Sequence, residues 1–259
     1  MSWVEIKSGY TCRSNFYMGY LVLALIRIIV LFFHFLVVNA VLLIACLVRP
    51  FHRDNVYIAG KLYSSMSRTL GLKVEMRVPD SVKQGGPYVY IANHQNSYDL
   101  ITICKAAQKG TVTVGKKSLK WIPIFGQAYW LTGNIMIDRK HSARAQDTLN
   151  DTVQKIQKRS LSVWFFPEGT RSYGRGLLPF KSGAFRIASE TNEPIVVVAA
   201  SNVHNKIKLN RWNNGTLLID LSEPEYLHPD KSLKENMEYF HTKMAAMIDT
   251  LDLEVENRK

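Results

Sequence analysis

The chain opens with a hydrophobic block and continues as a body of short segments whose periodicity keeps changing. Ile28 to Val48 is a 21-residue run broken only by His34 and Asn39. As a helix it would extend about 31 Å, close to the thickness of a bilayer core. It is too long for the apolar region of a cleaved signal peptide, and it ends in Arg49-Pro50 without a small-residue cleavage site. Nineteen apolar residues on all sides of a helix predict membrane association, spanning or interfacial, rather than burial in so small a body. Lys7, Arg13 and Arg27 precede the run, and Arg49, Arg53, Lys61 and Arg68 follow it, so positive charge leaves its orientation open.

Behind the block, Val56, Ala59, Leu62, Met66 and Leu70 have helical spacing, whereas Lys73 to Val78 alternates as a strand does. Short apolar runs at Tyr88–Ile91, Thr111–Val114, Ile135–Ile137, Leu161–Phe166, Ile195–Ala200 and Thr216–Leu221 predict further strands. Helices are predicted over Tyr98–Ala107, over 142–159, from Ser182 onward, and over the closing repeat Leu233, Met237, Phe240, Met244, Ile248 and Leu251. Trp121 to Gly133, interrupted by Pro123 and Gly126, reads as broken helix or loop. Strands alternating with helices make this an α/β protein: a mostly parallel mixed sheet flanked by helices, behind an N-terminal hydrophobic, membrane-associated helical segment. The division is 1–53 for that segment and 54–259 for the α/β domain.

Composition sharpens the contrast. The 259 residues are 47% hydrophobic and 21% charged, which excludes intrinsic disorder, and their net charge is +12. Residues 51–259 alone hold 29 basic and 20 acidic residues. A body this basic suits acidic partners, whether lipid headgroups, phosphorylated substrates or nucleic acid. Cys12, Cys46 and Cys104 are too few and too scattered for a disulfide framework or a zinc site, so a reducing compartment is expected.

Three segments carry candidate chemistry. In Ile91-Ala92-Asn93-His94-Gln95-Asn96-Ser97-Tyr98-Asp99, His94 follows a buried strand, at the edge where α/β sheets place their sites. On one straight helix His94 and Asp99 would point about 140° apart. They meet only if His94 sits in the loop and Asp99 in the first turn after it, with Asn96 or Ser97 as N-cap. A carboxylate holding one imidazole nitrogen leaves the other free to act as a base. The competing reading is that Asn96-x-x-Asp99 is simply a capping box.

In Phe165-Phe166-Pro167-Glu168-Gly169-Thr170-Arg171-Ser172, an apolar strand empties into a loop whose Arg171 suits phosphate, with Glu168 placed to hold it; a surface ion pair is the plain alternative. Lys181 and Ser182 then lead into a helix N-terminus, a natural anion site. The third segment, Gly133-Asn134-Ile135-Met136-Ile137-Asp138-Arg139, is a strand ending in an acid and a base. Gly110 to Lys117 nearly spells a phosphate-binding P-loop, but Lys117 stands where the magnesium-holding hydroxyl would be. There is no G-x-S-x-G elbow, H-E-x-x-H or C-x-x-C, so neither a serine hydrolase nor a metal is indicated.

In this order the three segments read N-H-x-x-x-x-D, G-x-x-x-I-D-R and F-P-E-G-T-R-S, and the set resembles the glycerolipid acyltransferases from about Lys73 to Asp220. The stretch Val114 to Gly126 is also similar to a family segment. The likeness is strongest to the bacterial branch that acylates lysophosphatidic acid. One departure is Pro194-Ile-Val-Val197-Val, where the family usually has a second proline at Val197.

The resemblance implies that His94 takes the proton of the acceptor's sn-2 hydroxyl while Asp99 orients it. Acyl carrier protein or acyl-CoA would then be the acyl donor and co-substrate, with no other cofactor and no metal. It implies a substrate-phosphate site at Arg171, with Glu168, Gly169 and Thr170 shaping the loop and Arg139 as a second phosphate contact. Lys116 or loop amides would hold the oxyanion. It also implies membrane phospholipids as partners and a bacterial inner-membrane enzyme whose site faces the cytoplasm. A sister acyltransferase using glycerol 3-phosphate or a lysophospholipid stays open. A non-enzymatic basic module binding lipid or nucleic acid is the remote alternative, because it would leave the His-Asp pair idle.

Overall fold

The computed structural model describes residues 3–137, 150, 152–154 and 156–258, with backbone alone for most of 3–20. Helix α1 (Trp3–Val48) runs through the hydrophobic block, and α2 (Asn55–Thr69) turns back against it. Seven strands follow: β1 (Leu72–Arg77), β2 (Val89–Ala92), β3 (Thr111–Lys116), β4 (Ile135–Ile137), β5 (Ser162–Phe165), β6 (Ile195–Ala200) and β7 (Gly215–Leu221). They form one sheet in the order β1-β7-β6-β2-β5-β3-β4, and every pair is parallel except β6 with β7. The expected α/β architecture with a mostly parallel mixed sheet is what the chain adopts.

Both faces of the sheet are covered, which explains why its central strands read as continuous apolar runs. Alternate residues serve opposite layers. Tyr90, Trp164, Val196 and Val198 join a core under α1 and α2. Val89, Ile91, Val163 and Val197 join a second core under the helices Gly183–Thr191 and Leu233–Asn257. Val197, the departure from the family pattern, sits inside the unbroken strand β6, where its N–H donates to the Ser222 hydroxyl at 3.0 Å. A proline has no N–H to give there.

Two expected elements came out differently. The helix predicted over Tyr98–Ala107 is instead two 3₁₀ segments, Ser97–Ile101 and Ile103–Ala106, broken at Thr102. Thr102 donates its hydroxyl to the Tyr98 carbonyl, and the β-branched run Ile101-Thr102-Ile103 disfavours a continuous α-helix. The segment Trp121–Gly133 resolves into a 3₁₀ turn, Lys117–Trp121, and a helix, Phe125–Leu131. Most of the helix predicted over 142–159 lies outside the described residues; 156–159 is helical, and Ile156 is buried.

Helix α1 is neither a free rod nor a core helix. Leu23, Val38, Leu42 and Cys46 are buried against the body, while Ile29, Phe33, Ile44 and Leu47 on the other side stay mostly exposed. Arg27 and Asn39 of this helix are buried in the seam and His34 is half-buried there. Arg27 donates to the carbonyls of Lys208, Leu209, Arg211 and Trp212. His34 Nε2 lies 3.0 Å from the Ser65 hydroxyl, and Asn39 Oδ1 accepts from the Tyr63 hydroxyl at 2.9 Å.

Candidate active site

The site lies at the carboxyl ends of β2 and β5, neighbours at the middle of the sheet. Ile91 of β2 pairs with Phe165 of β5. His94 and Glu168 each lie three residues further on, so two segments 74 residues apart in sequence arrive level with one another. On the other flank, Ala92 pairs with Val198, which brings the end of β6 beside the same loop.

The loop after β2 is pinned by its own polar side chains. Asn93 Nδ2 donates to the Ala200 carbonyl at 3.0 Å, and its Oδ1 accepts from the Ala200 N–H at 2.9 Å. Gln95 donates to the carbonyls of Ala200 and Ser201 and accepts from the Val203 N–H. With Asn93 and Gln95 both turned toward β6, His94 between them points the other way. Its ring stacks on Phe166, with centroids 4.0 Å apart and planes 19° apart.

His94 Nδ1 lies 2.6 Å from Asp99 Oδ2. That same oxygen accepts from the N–H groups of Gln95 at 2.8 Å and Asn96 at 3.2 Å. Asn96 is the N-cap, its side chain accepts from the Tyr98 N–H, and the Asn96–Asp99 capping box is formed. The two readings of this motif are therefore both true of one carboxylate. The capping box holds Asp99 in the first turn, and from there it orients the imidazole. The His94 side chain is 19% exposed and that of Asp99 only 7%. With Nδ1–H donated to the carboxylate, Nε2 is left with a lone pair.

The loop after β5 is bound to the first loop along its backbone. Ser172 N–H donates to the His94 carbonyl at 2.8 Å, and Tyr173 N–H to the Gln95 carbonyl at 2.9 Å. Glu168 does not hold Arg171, as its position in the sequence had suggested. It is 3% exposed. One carboxylate oxygen accepts from the His94 main-chain N–H at 2.6 Å and the other from the Leu178 N–H at 3.0 Å. Burial pushes its carboxyl above the ordinary range, and these two N–H groups offset part of that.

Arg171 is exposed, and its Nη1 donates to the Tyr173 hydroxyl at 3.2 Å. That contact lowers the Tyr173 phenol below its usual value. Thr170 is exposed beside it. Gly169 has φ +71°, and a Cβ there would press to 2.8 Å from the Lys181 ammonium, so glycine lets Lys181 lie across the turn. Lys116 is exposed at the end of β3, two strands from β2 on the same edge of the sheet. Arg139 lies outside the described residues. The roles of Phe166, Asn93 and Gln95 were missed in the sequence; the polar pair flanking His94 was the available signal.

A separate cavity of about 220 Å³ opens between these loops and the C-terminal helix. Glu168, Gln95 and His204 line it, with Asp249 and Asp252, but His94, Asp99 and Arg171 do not. Its acidic wall is a poor match for an anionic acceptor.

The acyltransferase family profile matches residues 73–201, a span that contains both loops. The chain is 45% identical to the 1-acyl-sn-glycerol-3-phosphate acyltransferase of Salmonella typhimurium, over 83% of this chain and 89% of that one. The chain belongs to the 1-acyl-sn-glycerol-3-phosphate acyltransferase family. Its identity to the Escherichia coli member is 44% over the same shares of both chains. With the Haemophilus influenzae member it is 44% over 78% of this chain and 85% of that one. The crystal structure of the 1-acyl-sn-glycerophosphate acyltransferase from Thermotoga maritima superposes with a TM-score of 0.70. That match covers 90% of this chain and 97% of the other at 18% identity, which establishes the shared fold.

Proposed function

We propose that this acyltransferase moves a fatty acyl group from an acyl thioester, on acyl carrier protein or coenzyme A, to the sn-2 hydroxyl of lysophosphatidic acid. The observation that carries the mechanism is the 2.6 Å contact between His94 Nδ1 and Asp99, with Nε2 left free. His94 Nε2 takes the hydroxyl proton as the oxygen attacks the thioester carbonyl. Asp99 stabilises the imidazolium that forms, and the face of Phe166 adds a cation–π contribution. Collapse of the tetrahedral intermediate expels the thiolate, which regains the proton from His94. The products are phosphatidic acid and the free thiol carrier.

Arg171, Thr170 and the Gly169 turn supply the phosphate-binding rim, with Arg139 as a second cation. Lys116, at the same sheet edge, is the proposed oxyanion donor. Glu168 serves this reaction as a positioning residue, through the peptide N–H of His94. The chain's own side chains carry every step, and none calls for a metal.

Helix α1 is the proposed membrane anchor. Leu21–Val48 is long and apolar enough to cross a bilayer, with a mean hydropathy of 2.9. Its middle, however, is bonded to α2 through His34 and Asn39, and α2 carries exposed Lys61 and Arg68. A crossing α1 would drag those charges into hydrocarbon, at roughly 3 kcal/mol or more each. The reading that fits is a helix lying in one leaflet, its exposed apolar face toward the acyl chains. By likeness to the bacterial relatives, that leaflet is the cytoplasmic side of an inner membrane.

The test is purified protein with lysophosphatidic acid, glycerol 3-phosphate or a lysophospholipid, each offered acyl-CoA and acyl carrier protein, with products read by lipid mass spectrometry. Phosphatidic acid from lysophosphatidic acid alone is expected. Equal turnover of the other acceptors would overturn the assignment. His94→Ala should lower turnover about a thousandfold or more with an unchanged melting curve.

A further inference from the structure

We infer that two basic–aromatic clusters, around Trp121 and Trp212, grip the anionic headgroups of a phospholipid bilayer at opposite ends of the Arg27–Val48 stretch of α1. The inference deepens the membrane reading of α1 and is independent of the acyl-transfer chemistry. Trp121 is 76% exposed and Trp212 is 77% exposed, the most open aromatic side chains among the described residues. Neither has a partner layer, yet each is coupled to a cation. Lys120 Nζ lies 4.6 Å from the Trp121 ring centre; the Arg27 guanidinium, 5.8 Å from that of Trp212, is buried and bonded to main chain, so the cations open to headgroups there are Lys208 and Arg211, both exposed. Tryptophan beside lysine or arginine suits the headgroup layer, where the ring meets the upper acyl chain and the cation meets phosphate.

Both clusters are joined to α1. At one end, Arg27 ties the helix directly to the 208–212 loop that carries Trp212. At the other, Phe51 follows the end of α1, its N–H donates to the Leu131 carbonyl, and its ring meets Trp130 edge-on at 5.0 Å. Trp130 belongs to the helix that follows the Trp121 turn, where Ile122 and Ile124 are also open to solvent. From Arg27 to Val48 the helix advances about 31 Å, so the clusters stand at the two ends of most of its apolar stretch.

Charge decides the occupant. Residues 100–137 contain five lysines and no acid, and residues 202–219 contain Lys206, Lys208 and Arg211 and no acid. Asp54 and Asp252 reach these stretches only at the Gly110 and Asn202 N–H groups, so each stretch keeps a surplus of positive charge. An anionic surface with an apolar interior satisfies the cations, the exposed indoles and the face of α1 together.

The experiment uses the full chain and vesicles of phosphatidylcholine, alone or mixed with phosphatidylglycerol. Cosedimentation is expected to be much stronger on the mixed vesicles. Lys117→Glu with Lys120→Glu, and separately Lys206→Glu with Lys208→Glu, should each weaken that binding by at least about tenfold, taking about fivefold per charge near an anionic surface. Binding to neutral vesicles should change little. In the parent protein, brominated acyl chains should quench tryptophan emission, and Trp121→Ser or Trp212→Ser should each remove part of that quenching.

Equal binding of the parent to both vesicle types, or unaltered binding of both reversal variants, would overturn the inference. So would reversal variants that bind vesicles normally but lose turnover with acyl carrier protein alone, which would assign the clusters to an acidic protein. Turnover of a short-chain acceptor with acyl-CoA in detergent should match the parent in every variant. Absence of that turnover in the parent, with vesicle selectivity intact, would remove the proposed reaction and leave this surface standing.

Discussion

The loops at the sheet edge and the outer face of α1 obey opposite rules. At the edge, polar groups are enclosed and paired. Asn93, Gln95, Asp99 and Glu168 are each buried, and each is bonded to main chain. On α1, Arg27 and Asn39 are also buried and bonded, but the outward face keeps Ile29, Phe33, Ile44 and Leu47 in the open. The first region is complete as it stands. The second is complete only when something apolar covers it. An enzyme that acylates a lipid needs both, because general-base chemistry demands fixed geometry and its substrate and product reside in a bilayer.

The largest effect that tests this comparison is at the most constrained residue after His94. Asp99→Asn should keep part of the cap yet present the wrong partner to the imidazole. Turnover should fall by about a hundredfold or more, with the Michaelis constant for the acceptor little changed. Full specific activity with a lowered melting temperature would reduce Asp99 to its capping role.

Next in size is Glu168→Gln. The acid meets two N–H groups, whereas the amide must turn a donor toward one of them. A loss of roughly ten- to a hundredfold in kcat is expected, with the Michaelis constant for lysophosphatidic acid nearly constant. Arg171→Ala should do the reverse, raising that constant and sparing kcat. If Glu168→Gln instead raised the Michaelis constant alone, Glu168 would touch substrate after all.

Smaller again is Arg27→Met, which keeps bulk but strips four carbonyls of a donor. It should cost about 2–3 kcal/mol of stability, seen in denaturant titration, with detergent-phase activity preserved in the folded protein. No loss of stability would mean that the 208–212 loop does not hold α1.

The smallest effect lies far from both regions, where Glu75 bonds Lys73 and Arg258 on the surface. These partners, Lys73 first, hold its carboxyl down to about 2. An unfolded glutamate titrates near about 4.3. The stabilisation is therefore present above that value and is lost as pH falls toward about 2. Glu75→Gln should lower the melting temperature by about a degree or two at neutral pH, because the pair is solvent-screened. That gap should close as the pH falls from about 4 to about 2.

Much of this was legible in the linear chain. Tyr90, Val163 and Val196 lie in runs apolar on both faces, and only a covered parallel sheet needs such strands. His94 and Asp99 could be paired because a loop followed by a first turn was the one local geometry that joins them. The break at Thr102 was less legible, since a threonine hydroxyl competing for one carbonyl leaves no mark in the apolar spacing. Glu168 was misread for a related reason. Its nearest charged neighbour in sequence is Arg171, but its actual partners, the N–H groups of His94 and Leu178, come from 74 and 10 residues away.

The amino-acid sequence alone determined the strand and helix periods, the fold class, the motif residues and the greasy leader. Each of these follows from side-chain type and local spacing, which need no knowledge of the rest of the chain. Tertiary structure alone decided that His94 and Glu168 arrive level, that Asp99 serves cap and imidazole with one oxygen, and that α1 has a bonded side and an open side. Those outcomes depend on which strands become neighbours and in what register, and hydrogen bonds between distant segments are made or missed within a few tenths of an ångström.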